Sequence, residues 1–360
     1  MDLLFDAMKY RFRALKYLAV LTLPLTVAIS FTSTGWWCWL PLIYVFGMLP
    51  LLELFIRPSE HNLEEAEEEM VRKDRLYDWL LYAMLPLQFA FVFWFCWQHA
   101  AALPDGVSLA GRIVGLGLMC GTMGINVGHE LGHRPKAYEQ RIAQGLLLSS
   151  LYMHFFIEHN RGHHKHVSTP EDPASSRMGE WIFTFWLRSL LGSYFSAWRL
   201  EFARMQRLGK ARLSFSNQML QFQLVQLALV AGIGLGFGWE VALYFVGAAF
   251  IGALLLETVN YIEHYGLSRS ETGKGRYERV MPWHSWNSNH ALGRLLLFEL
   301  SRHSDHHYIA SRPYPLLRHF DDAPQMPTGY PGMMLMALIP PLWFAIMNPR
   351  VRKVQAVVHG

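Results

Sequence analysis

Cysteine is nearly missing from this chain of 360 residues: three occur, Cys38, Cys96 and Cys120, with no CxxC pair. That excludes a disulfide framework and any fused iron–thiolate or zinc-ribbon module. Charge is scarce too. Asp, Glu, Lys and Arg make up 17% of the residues, against about 25% in an ordinary globular chain. A net charge of +4 is too mild for a nucleic-acid-binding surface. No repeat of 20–50 residues and no low-complexity tail is present, which removes solenoids and arrays. What the chain has instead is apolar surface: 52% of its residues are hydrophobic, with 13 Trp, 23 Phe and 15 Tyr. Such a chain cannot stay solvated and disordered.

The apolar residues are gathered in runs. A membrane-spanning helix needs about 20 of them in succession, and six stretches qualify, near 17–37, 39–56, 79–101, 109–127, 219–237 and 241–259. Lys9, Arg11, Arg13 and Lys16 precede the first run, in the manner of a signal peptide. The run is too long, lacks a small-x-small cleavage site, and reads as a retained anchor. The connections alternate between tiny uncharged turns (Thr32 to Gly35, Pro104 to Gly106, Gly234 to Gly238) and large charged segments. Of the 32 Lys and Arg, Arg112 alone falls on the side of the tiny turns. The positive-inside rule therefore places both termini and all large loops in the cytoplasm. The expected architecture is all-α: one polytopic domain over 1–360, with six transmembrane helices in three hairpins and a cytoplasmic-side, histidine-rich helical cap built from 128–218 and 260–349. A seventh apolar stretch, 333–347, contains Pro340-Pro341 and is too short to span, so an interfacial or packing helix is expected, and likewise at 142–157.

Histidine is the excess: 17 residues, mostly clustered. His129-Glu130-Leu131-Gly132-His133 puts two rings at i and i+4, on one helical face, where they can share a metal. His159, His163 and His164 repeat the pattern with one adjacent ring. His264 follows the sixth run, and His303, His306 and His307 stand at i, i+3 and i+4. By parity all nine lie on one membrane side. Nine imidazoles exceed what one tetrahedral zinc takes, and imidazole also suits iron, copper and nickel. The count fits two metals with four or five ligands each. Glu130, Glu158, Glu263 and Asp305 are interleaved with the rings and could accept their second N–H, with Arg161 and Arg302 holding those carboxylates in turn. His61, His99, His319 and His359 are expected at surface or interfacial positions, and His154, His166, His284 and His290 in roles that support the ligands or the structure.

At these residues the sequence resembles the integral-membrane non-haem di-iron alkane 1-monooxygenases (alkane omega-hydroxylases) of bacteria, within the wider superfamily of membrane fatty-acid desaturases and hydroxylases. The runs that carry the resemblance are Gly128 to His133, Glu158 to His164 with Thr169 to Ala174, Asn260 to Leu267, His284 to Asn289, and Arg302 to His307. The Asn260 to Gly266 run separates this family from the desaturases. The resemblance implies six spans and two non-haem Fe ions held by His129, His133, His159, His163, His164, His264, His303, His306 and His307. It implies O2 as co-substrate and terminal hydroxylation of medium-to-long-chain n-alkanes to primary alcohols. Electrons would come from NAD(P)H through a rubredoxin reductase and rubredoxin, in the bacterial cytoplasmic (inner) membrane. Related alternatives are a hydroxylase of aromatic methyl groups and a fatty-acid desaturase. An intramembrane zinc peptidase built on His129-Glu130-Leu131-Gly132-His133 would leave most of the rings without purpose. A metal transporter would need ligands at mid-membrane.

An alkane offers no polar handle, so selection must come from an apolar channel. Leu118, Thr122 and Ile125 share one face leading to His129, and Val45 and Leu49, one turn apart in the second run, could shape the far end. Ala253, Glu257 and Tyr261 mark the corresponding face toward His264. Arg199, Arg204, Arg207, Lys210, Arg212 and Arg318 would suit docking of an acidic redox protein.

Overall fold

Three helical hairpins form the body of the molecule in a computed structural model, which describes residues 13–358. Among the described residues six helices are long and apolar enough to cross a membrane: Leu15–Thr32, Gly35–Glu53, Leu76–Ala101, Gly106–Gly132, Gln218–Phe237 and Trp239–His264. The fourth and sixth outrun the expected ends at 127 and 259 because helical phase continues past the last apolar residue. His129 and His264 therefore lie inside spans, on rigid backbone.

The fourth span is the most enclosed, 72% buried against 17% for the second and fifth. Small residues let its neighbours close on it. A Cβ on Gly117 would meet Ile251 of the sixth span at 2.7 Å, and one on Gly252 would meet the Cys120 Cβ at 2.7 Å. Spans four and six thus touch nearly backbone to backbone. Exposed Trp36, Trp37 and Trp239 stand at the short turns, where aromatic belts meet the lipid–water boundary. The lone arginine of that side, Arg112, is buried and donates to the Ser33 carbonyl at 2.8 Å.

At the opposite end a cap of short helices encloses the histidines. Helix Ala137–Leu148 packs on the fourth span and buries Ala143, Leu146 and Leu147 completely. Helix Ile182–Arg207 exposes Phe183, Leu187, Leu191 and Phe195 at four-residue spacing, the apolar stripe of a helix lying in a membrane interface. The sequence reading gave this stretch no such role. The 333–347 stretch is two helices, Tyr330–Ala337 and Pro340–Val358, bent by 118°. The second buries Trp343 and Met347 fully, so it packs on the cap. The one strand pair among the described residues, Glu271–Gly273 with Arg276–Tyr277, is a small exposed hairpin.

Candidate metal centre

All nine predicted rings converge, in two adjoining clusters. His129, His133, His159, His164 and His306 form one, and His163, His264, His303 and His307 the other, each with its ring nitrogens within 4.8 Å of one another. In the first, Nε2 atoms approach at 2.8 Å (His129 and His306), 3.1 Å (His133 and His159) and 2.9 Å (His159 and His164). In the second, His163 meets His307 and His264 meets His303 at 3.3 Å. The clusters share a wall: the rings of His164 and His307 stack 4.4 Å apart, and those of His303 and His306 at 5.7 Å.

The partition follows from backbone geometry. His129 and His133 are one α-helical turn apart and join the same cluster, as do His303 and His307, while His306 at i+3 turns to the other. In an ordinary α-helix His164 would point roughly 140° away from His159. The segment His159–His163 is instead a π-helical turn, a wider coil common at functional sites. It sends His163 into the four-ring cluster and His164, with His159, into the five-ring one.

The donor set fits metal. Burial, reinforced by the neighbouring imidazoles, holds His159, His164, His303, His306 and His307 well below the usual histidine range and pushes His133 down to about 3. Such rings are neutral at pH 7 and present lone pairs. The His159 Nε2 lies 3.1 Å from the His133 Nε2 and 2.9 Å from the His164 Nε2. Its single proton or lone pair can serve only one of them well, so hydrogen bonding between the rings cannot satisfy the cluster as a cation among them would.

The interleaved carboxylates mostly do other work. Glu130 pairs with Arg134 at 2.8 Å and accepts the Tyr314 N–H. Asp305 takes Arg312 at 2.8 Å and the Arg318 N–H. Glu158 is buried with its Oε1 unpartnered, and burial together with Asp172 and Glu257 pushes its carboxyl well above the usual range. None of these three bonds a ring of the clusters. Glu263 does, with Oε2 3.2 Å from the His303 Nε2, while its Oε1 accepts the Tyr330 hydroxyl at 2.7 Å. Arg161 pairs with Glu201, and Arg302 bonds the Leu317, Ser59 and His61 carbonyls and Asn62, so neither holds the expected acids. The ring support that sequence reasoning missed is Asp172. Its Oδ2 lies 2.9 Å from the His163 Nδ1, and the Ser175 hydroxyl and Ala174 N–H fix it from behind at 2.6 and 3.0 Å. His99 and His319, expected at surface or interfacial positions, are buried within the protein; His319 receives Asn289 at 2.9 Å. His359 lies outside the described residues.

A cavity ends on the clusters. Leu23, Val45, Leu49, Leu255, Leu256 and Met334 make its apolar walls, and His129, His159, His303, Glu263 and Tyr330 its polar floor. Of the channel residues read from sequence, Val45, Leu49 and Thr122 line it. Leu118 and Ile125 do not; they are packed at 2% and 0% exposure in the core. The cause is a second π-helical turn, Cys120–Ile125, which shifts the helical phase so that Gly121, Thr122 and Asn126 face the cavity. On the sixth span Glu257 is buried and accepts the Tyr152 hydroxyl at 2.7 Å, leaving Leu256, Val259 and Asn260 toward the cavity.

Residues 107–336, which include every ring of the centre, match the family model described as Fatty acid desaturase. Over 340 residues the chain is 43% identical to alkane 1-monooxygenase 2 of Pseudomonas aeruginosa, covering 93% of this chain and 90% of that protein. The chain belongs to the alkane 1-monooxygenase family. Alkane 1-monooxygenase 2 of Alcanivorax borkumensis is 38% identical over 359 residues, 97% of this chain and 92% of its own. The xylene/toluene monooxygenase hydroxylase component of Pseudomonas putida is more distant from this alkane 1-monooxygenase family member, 27% identical over 328 residues, 90% of this chain and 85% of its own. This family member is accordingly a multi-pass membrane monooxygenase.

Proposed function

We propose that this protein hydroxylates the terminal methyl group of medium-to-long-chain n-alkanes, with O2, two electrons and two protons giving the primary alcohol and water. The observation that carries the reading is the apolar cavity whose floor is formed by rings of both histidine clusters. Two irons, bound by the nine imidazoles, supply the O2-dependent redox chemistry that no side chain of the chain can provide. The protein's own residues bind, orient and exclude water. Val45, Leu49, Leu255 and Met334 grip a chain with no polar handle, so its end must meet His129, His159 and His303. Tyr330 fixes the Glu263 carboxylate against His303, and Asp172 fixes the tautomer of His163 by holding its Nδ1 proton.

The electron donor is a rubredoxin, reduced by an NAD(P)H-dependent reductase; the three cysteines Cys38, Cys96 and Cys120 are buried and unpaired and form no iron–thiolate site of their own. Electrons enter at the five-ring cluster, whose His133 and His164 are the two partly exposed rings of the nine. Exposed Lys136 and Lys165 flank them in sequence. Arg204 and Arg318, counted among the docking cations from sequence, are committed to Glu201 and Glu68. The location that fits is the bacterial cytoplasmic membrane, with both termini and the histidine cap in the cytoplasm.

The test pairs metal analysis of the purified protein with gas chromatography–mass spectrometry of octane to hexadecane fed to cells that supply rubredoxin and its reductase. Primary alcohols and two irons per chain are expected. An alkene without oxygen insertion, or hydroxylation confined to aromatic methyl groups, would overturn the alkane reading.

A further inference from the structure

Beside the centre, Arg302 stands directly before His303 and lines a second cavity of ≈ 240 Å3. Arg13, Lys16 and Arg294 share its walls with one carboxylate, Glu299. The charges do not balance. Glu299 is consumed by Lys16 at 3.1 Å, by Arg294 and by the Tyr17 hydroxyl at 2.7 Å. Arg13 pairs with Glu67 at 2.7 Å. Arg302 has no carboxylate within 4.0 Å among the described residues, and its charge meets only carbonyls and an Asn side chain. It is 2% exposed, and its Nε has no partner. A buried guanidinium without a counter-ion is costly, so the cavity is built with a place for an anion.

Depth identifies the anion. Lys16 and Tyr17 are among the first residues of the span Leu15–Thr32, so the cavity opens where lipid headgroups lie. Planar guanidinium groups suit the oxygens of a phosphate, and a lysine adds a point charge. We propose that this cavity binds the phosphate group of an anionic glycerophospholipid. The bound phosphate would offset the unpaired charge of Arg302 from the cavity it lines and share Lys16 and Arg294 with Glu299. It would thereby clamp the 59–62 strap, which Arg294 and Arg302 already hold through the Ser59 carbonyl. The inference stands apart from the reaction, since it concerns a different cavity and needs no turnover.

The experiment is native mass spectrometry and thermal unfolding of the full-length, metal-loaded protein. Three probes are titrated: phosphatidylglycerol, phosphatidylcholine and inorganic phosphate. Retention of one phosphatidylglycerol per chain and a raised Tm are expected, with phosphatidylcholine giving neither. The double variant Lys16→Gln/Arg294→Gln should bind phosphatidylglycerol at least tenfold more weakly. Should it not fold, Lys16→Gln alone, at an exposed position, makes the same comparison with a smaller loss. Equal retention by wild type and variants overturns the site. Stabilisation by inorganic phosphate with no gain from phosphatidylglycerol assigns the cavity to the free anion and overturns the lipid source.

Discussion

Replacing Asp172 by Asn should empty one metal position and spare the other. The carboxylate is 2% exposed and serves three donors: the His163 ring at 2.9 Å, the Ser175 hydroxyl at 2.6 Å and the Ala174 N–H at 3.0 Å. His163 and Ser175 share Oδ2 while the Ala174 N–H binds Oδ1. An amide therefore either turns its NH2 on the ring and the hydroxyl or turns it on the Ala174 N–H, and in both cases the negative charge behind His163 is lost. Partners that hold a ligating ring typically contribute ~10–100-fold in metal affinity, which is about 1.4–2.7 kcal/mol. His163 belongs to the four-ring cluster, and the Asp172 hydrogen bonds run to His163, Ser175 and Ala174, none of them in the five-ring cluster. Dialysis of Asp172→Asn against a graded chelator should therefore take iron from near two per chain toward one, at ~10–100-fold lower chelator strength than wild type. Elemental analysis reads the count, with hydroxylation measured on the same samples. Glu171→Gln is the control, because its partner is the half-exposed His166 outside both clusters. Retention of both irons at wild-type chelator strength would refute the reasoning. So would loss of both in step, which would make Asp172 a prop of the cap as a whole.

Val45→Trp fills the cavity wall beside Leu49 and should shift the product profile toward shorter chains across octane to hexadecane; an unchanged profile counts against a chain-aligning cavity. Acid should destabilise the metal-free protein. The rings of His133, His159, His164 and His306 are depressed in the folded state, so below the unfolded value of about 6.5 the unfolded chain takes up protons that the folded one refuses. Stability is thus intact above about pH 6.5 and falls from there toward about 3, the value for His133; a flat Tm between pH 7 and 5 in the apo protein would contradict the neutral-ring assignment. A Cβ at Gly162 would lie 2.6 Å from the Glu158 Oε1 and 3.2 Å from Leu200, so Gly162→Ala should cost about 1–3 kcal/mol, seen as a lower Tm with reduced activity. Lys136→Glu/Lys165→Glu should raise the KM for rubredoxin and flatten its salt dependence while leaving turnover at saturating donor unchanged; unaltered donor kinetics would move electron entry elsewhere.

The spans and the nine rings were readable because both signals are local. Apolar runs of membrane length and His spacings of three and four need nothing beyond one helix to interpret. The partition of the rings was not readable, because it depends on the π-helical turn His159–His163, and no residue pattern there announces an extra backbone step. The same kind of turn at Cys120–Ile125 explains why an α-helical face of Leu118, Thr122 and Ile125 gave one channel residue and two core residues. Asp172 was missed for another reason. It reaches His163 from a loop nine positions later, and loop contacts carry no periodicity. The signal available was Asp172 between Pro170 and Pro173, a rigid turn able to hold a carboxylate still. The acids chosen by adjacency, Glu130, Glu158 and Asp305, lie beside ligands in sequence but on other faces of their helices.

The cap therefore does more than cover the site. The fourth span contributes His129, and His133 at its end, to one cluster only, and the sixth span contributes His264 to the other only. These two spans meet closely at Gly117 and Gly252. The cap segments 159–164 and 303–307 each give rings to both clusters and so tie together what the membrane helices hold apart. Because His129 and His159 belong to one cluster and His303 to the other, and all three reach the cavity floor, the cavity opens on the seam between them. On the proposed reading, a chain end held by Val45, Leu49 and Met334 would be presented to both clusters at once, which a centre built from either element alone could not achieve.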